Sequence, residues 1–141
     1  MSKKGTSVVD LLLVIAIFTI IAATASPFLG RMIQTFYFYQ ARDRLVAFLS
    51  TAQINALANR QNATWGVCLS GTQLHLITGT CASPAYLLTY DLPSSVSLTG
   101  LTTVQFTPIT GEPTSTPIIN LSTAQYVGSV TVNAIGGLNI N

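Results

Sequence analysis

The run VVDLLLVIAIFTIIAATA, residues 8–25, decides how the rest of the chain is read: its only polar members are Asp10, Thr19 and Thr24. As a helix rising about 1.5 Å per residue it would be roughly 27 Å long, close to the ~30 Å hydrocarbon thickness of a bilayer. Lys3 and Lys4 precede the run and Arg31 follows it. The excess of cations on the N-terminal side predicts a single membrane pass with its N-terminus in the cytoplasm. A secretory signal peptide also has a basic start and an apolar core, but this core is longer than usual and no clean small-x-small cleavage site follows it. Asp10 needs its own explanation, because an ionisable group inside an apolar segment costs about 2.5–3.5 kcal/mol and calls for a partner.

Outward from this run the composition changes sharply. The chain has 141 residues, 49% of them apolar and only 7% charged, with a formal net charge of +2. That is far below the charge fraction of about a quarter found in ordinary soluble domains, and the length suits one domain. Every Lys and Arg lies at or before Arg60, and beyond it only Asp91 and Glu112 carry charge. The weakly charged remainder is too regularly apolar to be intrinsically disordered.

Next to the apolar run, Leu45, Phe48, Leu49, Ala52 and Ala56 follow the spacing of one helical face. They predict an amphipathic continuation, so that one helix covers about residues 7–59, on the order of 80 Å. Pro27 removes an N–H and clashes with the preceding turn, and Gly30 weakens the same place, which predicts a kink near residues 24–31. Arg60 would sit near the helix C-terminus, where the dipole favours a cation. The aromatic group Phe36, Tyr37, Phe38 and Tyr39 covers all sides of a helix, so one face cannot bury it. It would form either an interfacial belt or a packing surface between subunits.

From residue 61 on, short β-type segments are expected at 64–69, 73–77, 86–90, 96–98, 103–107, 118–121 and 129–135, separated by turn residues. They predict an antiparallel β domain. Ser70-Gly71-Thr72 has the composition of a tight turn, and Gly136-Gly137 that of a two-residue hairpin loop. Cys68 and Cys81 are the only cysteines. Outside the cytoplasm they would form a disulfide worth about 3 kcal/mol in the chain-entropy model. The alternative, a metal site with His75, lacks the usual paired ligand spacing. His75 alternates with Leu74 and Leu76 and shares a strand face with Gln73 and Ile77, which places it on the solvent side. No nucleophile elbow, phosphate-cradling glycine loop or carboxylate pair is present, so no catalytic residue, no cofactor and no enzymatic activity are expected.

The sequence KKG-TSVVDLLLVIAIFTIIAATASP resembles the N-terminus of type IV prepilins and type II secretion pseudopilins: a short basic leader ending in Gly5, a new N-terminus at Thr6, an acidic fifth mature residue in Asp10, an apolar helix and Pro27. It departs from the family in having Thr6 for an aromatic first mature residue and Asp10 for Glu. The resemblance implies a leader of residues 1–5, a helix over 6–60 that first spans the membrane (8–25) and then becomes amphipathic, and an antiparallel β globular domain over 61–141. This is an α+β, pilin-like fold. It also implies cleavage between Gly5 and Thr6 by a membrane-embedded prepilin peptidase, methylation of Thr6, and an ion pair between Asp10 and the Thr6 amine of a neighbouring subunit. The implied partners are other pilins, in a homo-oligomeric or mixed filament, and an inner-membrane assembly platform. The protein would sit in a prokaryotic inner membrane before assembly and in a periplasmic or cell-surface filament afterwards. A plain signal anchor with an incidental Asp10 is the alternative.

More loosely, LVAFLSTAQINALANRQNATWGVCL, VQFTPITGEP and the final VTVNAIGGLNIN resemble the H-type minor pseudopilins and the minor pilins of competence systems. Some of these bind DNA through basic residues near the C-terminus, but this chain has no cation after Arg60 with which to neutralise phosphate. A role for the β domain as a tip module that binds a secreted substrate, a surface or DNA is the competing reading.

Overall fold

A computed structural model describes residues 8–141, apart from the side chains of residues 24–28 and 86–87. Its elements are one α-helix, α1 (Val8–Leu57), and eight strands: β1 (Trp65–Ser70), β2 (Gln73–Thr80), β3 (Ser83–Asp91), β4 (Ser97–Thr99), β5 (Thr103–Phe106), β6 (Ile118–Ser122), β7 (Val127–Val132) and β8 (Leu138–Ile140). The chain divides into two units, Met1–Ile33 and Gln34–Asn141.

The expectation of a membrane-crossing segment is overturned. Among the described residues, no helix is long and apolar enough to cross a membrane. The described part of the apolar run carries Asp10 in its first turn, a cost to burial in hydrocarbon. The fold class is corrected accordingly: the helix is not a transmembrane segment that turns amphipathic, and a single-pass inner-membrane location is not supported. The backbone stays helical through Pro27. The side chain of Pro27, and with it the argument for a kink, lies outside the described residues, as do Gly5 and Thr6.

Within the second unit the helical spacing has its physical effect. Phe38, Ala41, Leu45, Phe48, Leu49, Ala52 and Ala56 are all buried, one stripe of α1 turned toward the strands. They join one cluster with Trp65, Val67, Leu76 and Phe106 from the first strands and with Ile119, Leu121, Val130 and Val132 from the later ones. The helix ends where Asn59 takes a left-handed conformation, φ 47° and ψ 37°, a role that Asn fills at helix C-termini because its short polar side chain tolerates it. The Asn59 N–H donates to the Ala56 carbonyl at 2.9 Å, and the Ile109 N–H donates to the same oxygen at 2.9 Å. A loop from far along the chain thus adds a second donor to a carbonyl at the helix end, whose oxygen has two lone pairs. Arg60 falls in a 3-10 turn after the helix, Arg60–Asn62, and no basic residue lies in the last helical turn, so the expected dipole pairing is absent there. Arg60 instead reaches the Asn55 side chain at 3.4 Å, and its carbonyl accepts from Trp65 Nε1 at 3.0 Å.

The β portion is two four-stranded antiparallel sheets, in the orders β3-β2-β1-β5 and β4-β6-β7-β8. Gly71, at φ 60°, closes the expected tight turn between β1 and β2. The last hairpin differs from expectation. Strand β7 stops at Val132, and the loop closes by Asn133 N–H to Gly137 O and Gly136 N–H to Asn133 O, each 2.9 Å. Asn133 Oδ1 also accepts from the N–H groups of Ile135 and Gly137. These side-chain bonds compete with strand pairing and lengthen the turn beyond the two glycines.

Candidate functional site

Three regions of the described chain hold the residues that the sequence singled out. The first is the start of α1. From Val8 to Ile21 its large apolar side chains are 46–73% exposed, on every side of the helix. Asp10 lies in the first turn, where the helix dipole favours a carboxylate. A helix that is apolar all round ordinarily lies inside something larger.

The second region is the Cys68–Cys81 disulfide, whose Cα atoms are 6.1 Å apart. How these residues meet is not obvious from the strands. Cys68 on β1 faces His75 on β2, and at about 3.3 Å per residue a straight β2 would carry Cys81 about 20 Å beyond that register. A bulge between Thr78 and Gly79 and the left-handed Gly79, φ 81°, turn the β2–β3 tip back across the sheet. The Gly79 carbonyl then accepts from Gln105 Nε2 on β5, two strands away. Beneath the tip, Ile77 and Cys68 are fully buried yet stand apart from the main core cluster. The expectation that Ile77 lies on a solvent face is corrected by this covering. His75, on the same face, is half-buried, with Nδ1 3.0 Å from Thr89 Oγ1. Among the described residues no three of His, Cys, Asp and Glu gather as a metal site.

The third region is the outward side of α1 between Phe36 and Ala47. The helix sorts the aromatic group. Phe38 enters the core, its ring centroid 5.9 Å from that of Tyr126, while Phe36, Tyr37 and Tyr39 are 63%, 37% and 44% exposed. The Arg42 guanidinium lies 4.8 Å from the Tyr39 ring centroid and bonds Asp43 at 3.1 Å. Two residues on, the Arg44 guanidinium lies 5.8 Å from the Tyr90 ring. Burial pushes the Tyr90 hydroxyl above its ordinary pKa, and Arg44 opposes the shift. Two shallow, solvent-open recesses share Gln40: one is bordered by α1 alone, through Phe36, Tyr39, Asp43, Arg44 and Ala47, and the other by Tyr37 with Tyr90, Asp91 and the residues that follow. Sequence spacing marked the core stripe of this helix but not the second recess, because its other wall comes from the end of β3 and the β3–β4 connection, about fifty residues away in the chain.

Sequence reasoning also missed Gln53. Its Nε2 donates to the carbonyls of Gly111 at 3.5 Å and Ile135 at 3.2 Å, tying two distant loops to the helix. No signal in the local sequence distinguishes it from other helical glutamines.

No family model, curated protein or solved structure matches the chain.

Proposed function

We propose that the chain is a structural subunit of a filament of the type IV pilus or type II secretion pseudopilus kind, cut between Gly5 and Thr6 by a prepilin peptidase and assembled through the start of α1. The observation that carries this reading is the apolar surface between Val8 and Ile21, exposed on every side of the helix. At about 25 cal/mol per Å² of apolar area removed from water, such a surface is driven into contact with other apolar surface. The same helix in further copies offers one of matching character and length. The KKG-TSVVD sequence supports processing, and an Asp10 carboxylate beside a neighbour's Thr6 amine would fix the axial register of an incoming copy.

Two measurements on one preparation test the proposal. Filaments sheared from cells are expected to contain this chain, with mass spectrometry showing a methylated Thr6 as its first residue. Asp10→Ala should be cut normally but enter filaments poorly, while Asp10→Glu should enter them well. An uncut chain, its absence from filaments, or full incorporation of Asp10→Ala would overturn the assembly mechanism. Copy number per length of filament then separates a main subunit from a rare tip subunit.

A further inference from the structure

We propose that the outer edge of β3 pairs with β3 of a second copy, antiparallel and centred on Thr89, joining two sheets across a two-fold axis. The register fixes which backbone groups are available. The Leu92 N–H donates to the Thr72 carbonyl at 2.9 Å, and along the strand Leu74 stands opposite Tyr90, His75 opposite Thr89, Leu76 opposite Leu88 and Ile77 opposite Leu87. Hydrogen-bonded and non-hydrogen-bonded pairs alternate along an antiparallel ladder. Tyr90 and Leu88 therefore turn their backbone groups to β2, while those of Leu87, Thr89 and Asp91 point away from the sheet. Among the described residues, no backbone hydrogen bond reaches Thr89 or Asp91 from beyond this edge. The other sheet edges are blunted. β5 is covered through the Phe106–Pro113 bridge and the Thr114 N–H, which donates to the Gln105 carbonyl at 2.8 Å, and β4 and β8 have three residues each. β3 has nine, and its YLLTY, residues 86–90, holds no charge, proline or glycine of the kind that guards a natural edge. Nor does α1 close it: open recesses separate Gln40 from Tyr90 and Asp91, and Thr51 and Asn55 from Leu88.

A second β3 is the occupant that this edge fits. Three outward residues have a two-fold centre of their own, so Thr89 meets Thr89 of the second copy and Leu87 meets its Asp91. At two bonds per pair these give about six backbone hydrogen bonds. Beside them Leu88, 45% exposed, opposes Tyr90 of the second copy at a non-hydrogen-bonded position, where side chains come closest and each removes apolar surface of the other from water. The charge on the strand agrees with this register. Asp91 is its one ionised residue, and the two carboxylates stand four residues apart, about 13 Å, beyond the ~8–10 Å over which exposed charges are felt at ordinary salt. A register centred on Asp91 would set the carboxylates face to face. One centred on Leu87 would bring Pro84 and the irregularity at Thr78/Gly79 into the ladder. The contact uses one patch on both copies and closes at two. It lies wholly in the unit Gln34–Asn141 and does not rest on filament assembly through the start of α1.

The test introduces single cysteines into the full chain, kept dispersed in a zwitterionic detergent with the Cys68–Cys81 disulfide intact. Under mild oxidation Thr89→Cys should form a disulfide between two copies, because hydrogen-bonded pairs stand about 5.5 Å apart at Cα, within the ~4.4–6.8 Å that a disulfide spans. Ser83→Cys, six residues along the same strand, would sit roughly 40 Å from its counterpart and reports random collision. Thr89→Cys is expected to cross-link at least about tenfold faster, with peptide mapping showing a bond between the two introduced cysteines. Adding Asp91→Pro removes one outward N–H from each copy and leaves the β2 ladder whole, since proline is tolerated where an edge N–H faces out. It should slow the cross-link several-fold while β1 and β2 keep their amide-exchange protection, and if that protection is lost, the comparison of the two cysteines decides alone. Equal rates at the two positions would overturn the proposal. So would an unslowed double variant, or cross-linking of Thr89→Cys in cells to a different polypeptide and not to itself.

Discussion

Ile109 combines an exposed side chain (70%) with a φ of 72°, a conformation that a β-branched residue adopts only at a steric cost. Its N–H explains why the backbone is kept there, since it completes the Ala56 carbonyl at the end of α1. The side chain contributes little in return. Ile109→Gly is therefore expected to be neutral or to stabilise the fold by up to about 1 kcal/mol, although glycine usually destabilises, because the relief of strain outweighs the added freedom of the unfolded chain. Urea unfolding of the two proteins measures this, and a loss of more than about 1 kcal/mol would mean that the Ile109 side chain is doing work its exposure does not suggest. Nothing local foretells this strain. The sequence TPITGE signals a turn through Pro and Gly, but that Ile rather than Thr takes the left-handed position follows from where the helix end needs a donor.

Among the elements, α1 beyond residue 34 was the most legible, since a stripe at helical spacing is a property of the sequence alone and Leu45, Phe48, Leu49, Ala52 and Ala56 are all buried. The β segments were legible in rough place, seven expected against eight strands found, because turn residues punctuate them. Legibility stopped where one element folds over another. The reversal of the β2–β3 tip rests on a bulge and a left-handed glycine, and alternation alone assigns Ile77 to water. The pairing of Cys68 with Cys81 and the burial of Ile77 are two results of that one reversal. Replacing both cysteines by serine should therefore lower stability by about 3 kcal/mol and also speed amide hydrogen exchange at residues 76–80 more than in β6 and β7. Uniform acceleration across both sheets would show that the tip is not a separately opening segment. For the same reason the second recess could not be foreseen: Tyr90 and Asp91 reach Gln40 only once the sheets have packed on the helix.

Taken whole, the molecule separates its chemistry along the chain. Apolar surface is concentrated in Val8 to Ile21, core packing in Phe38 to Ala56 and the strands, and nearly all charge before residue 61. The two units thus face different demands, one for other apolar surface and one for its own interior. The disulfide also limits how far the whole chain can be drawn out. It joins residues 13 apart in sequence across 6.1 Å, whereas the same stretch fully extended covers about 45 Å. All of β2 lies inside that covalent ring, so a pull along the backbone bypasses it even after both sheets have come apart. In single-molecule stretching, the oxidised chain should reach a final contour length about 40 Å shorter than the chain in reductant, and equal lengths would mean that the ring is open before force is applied.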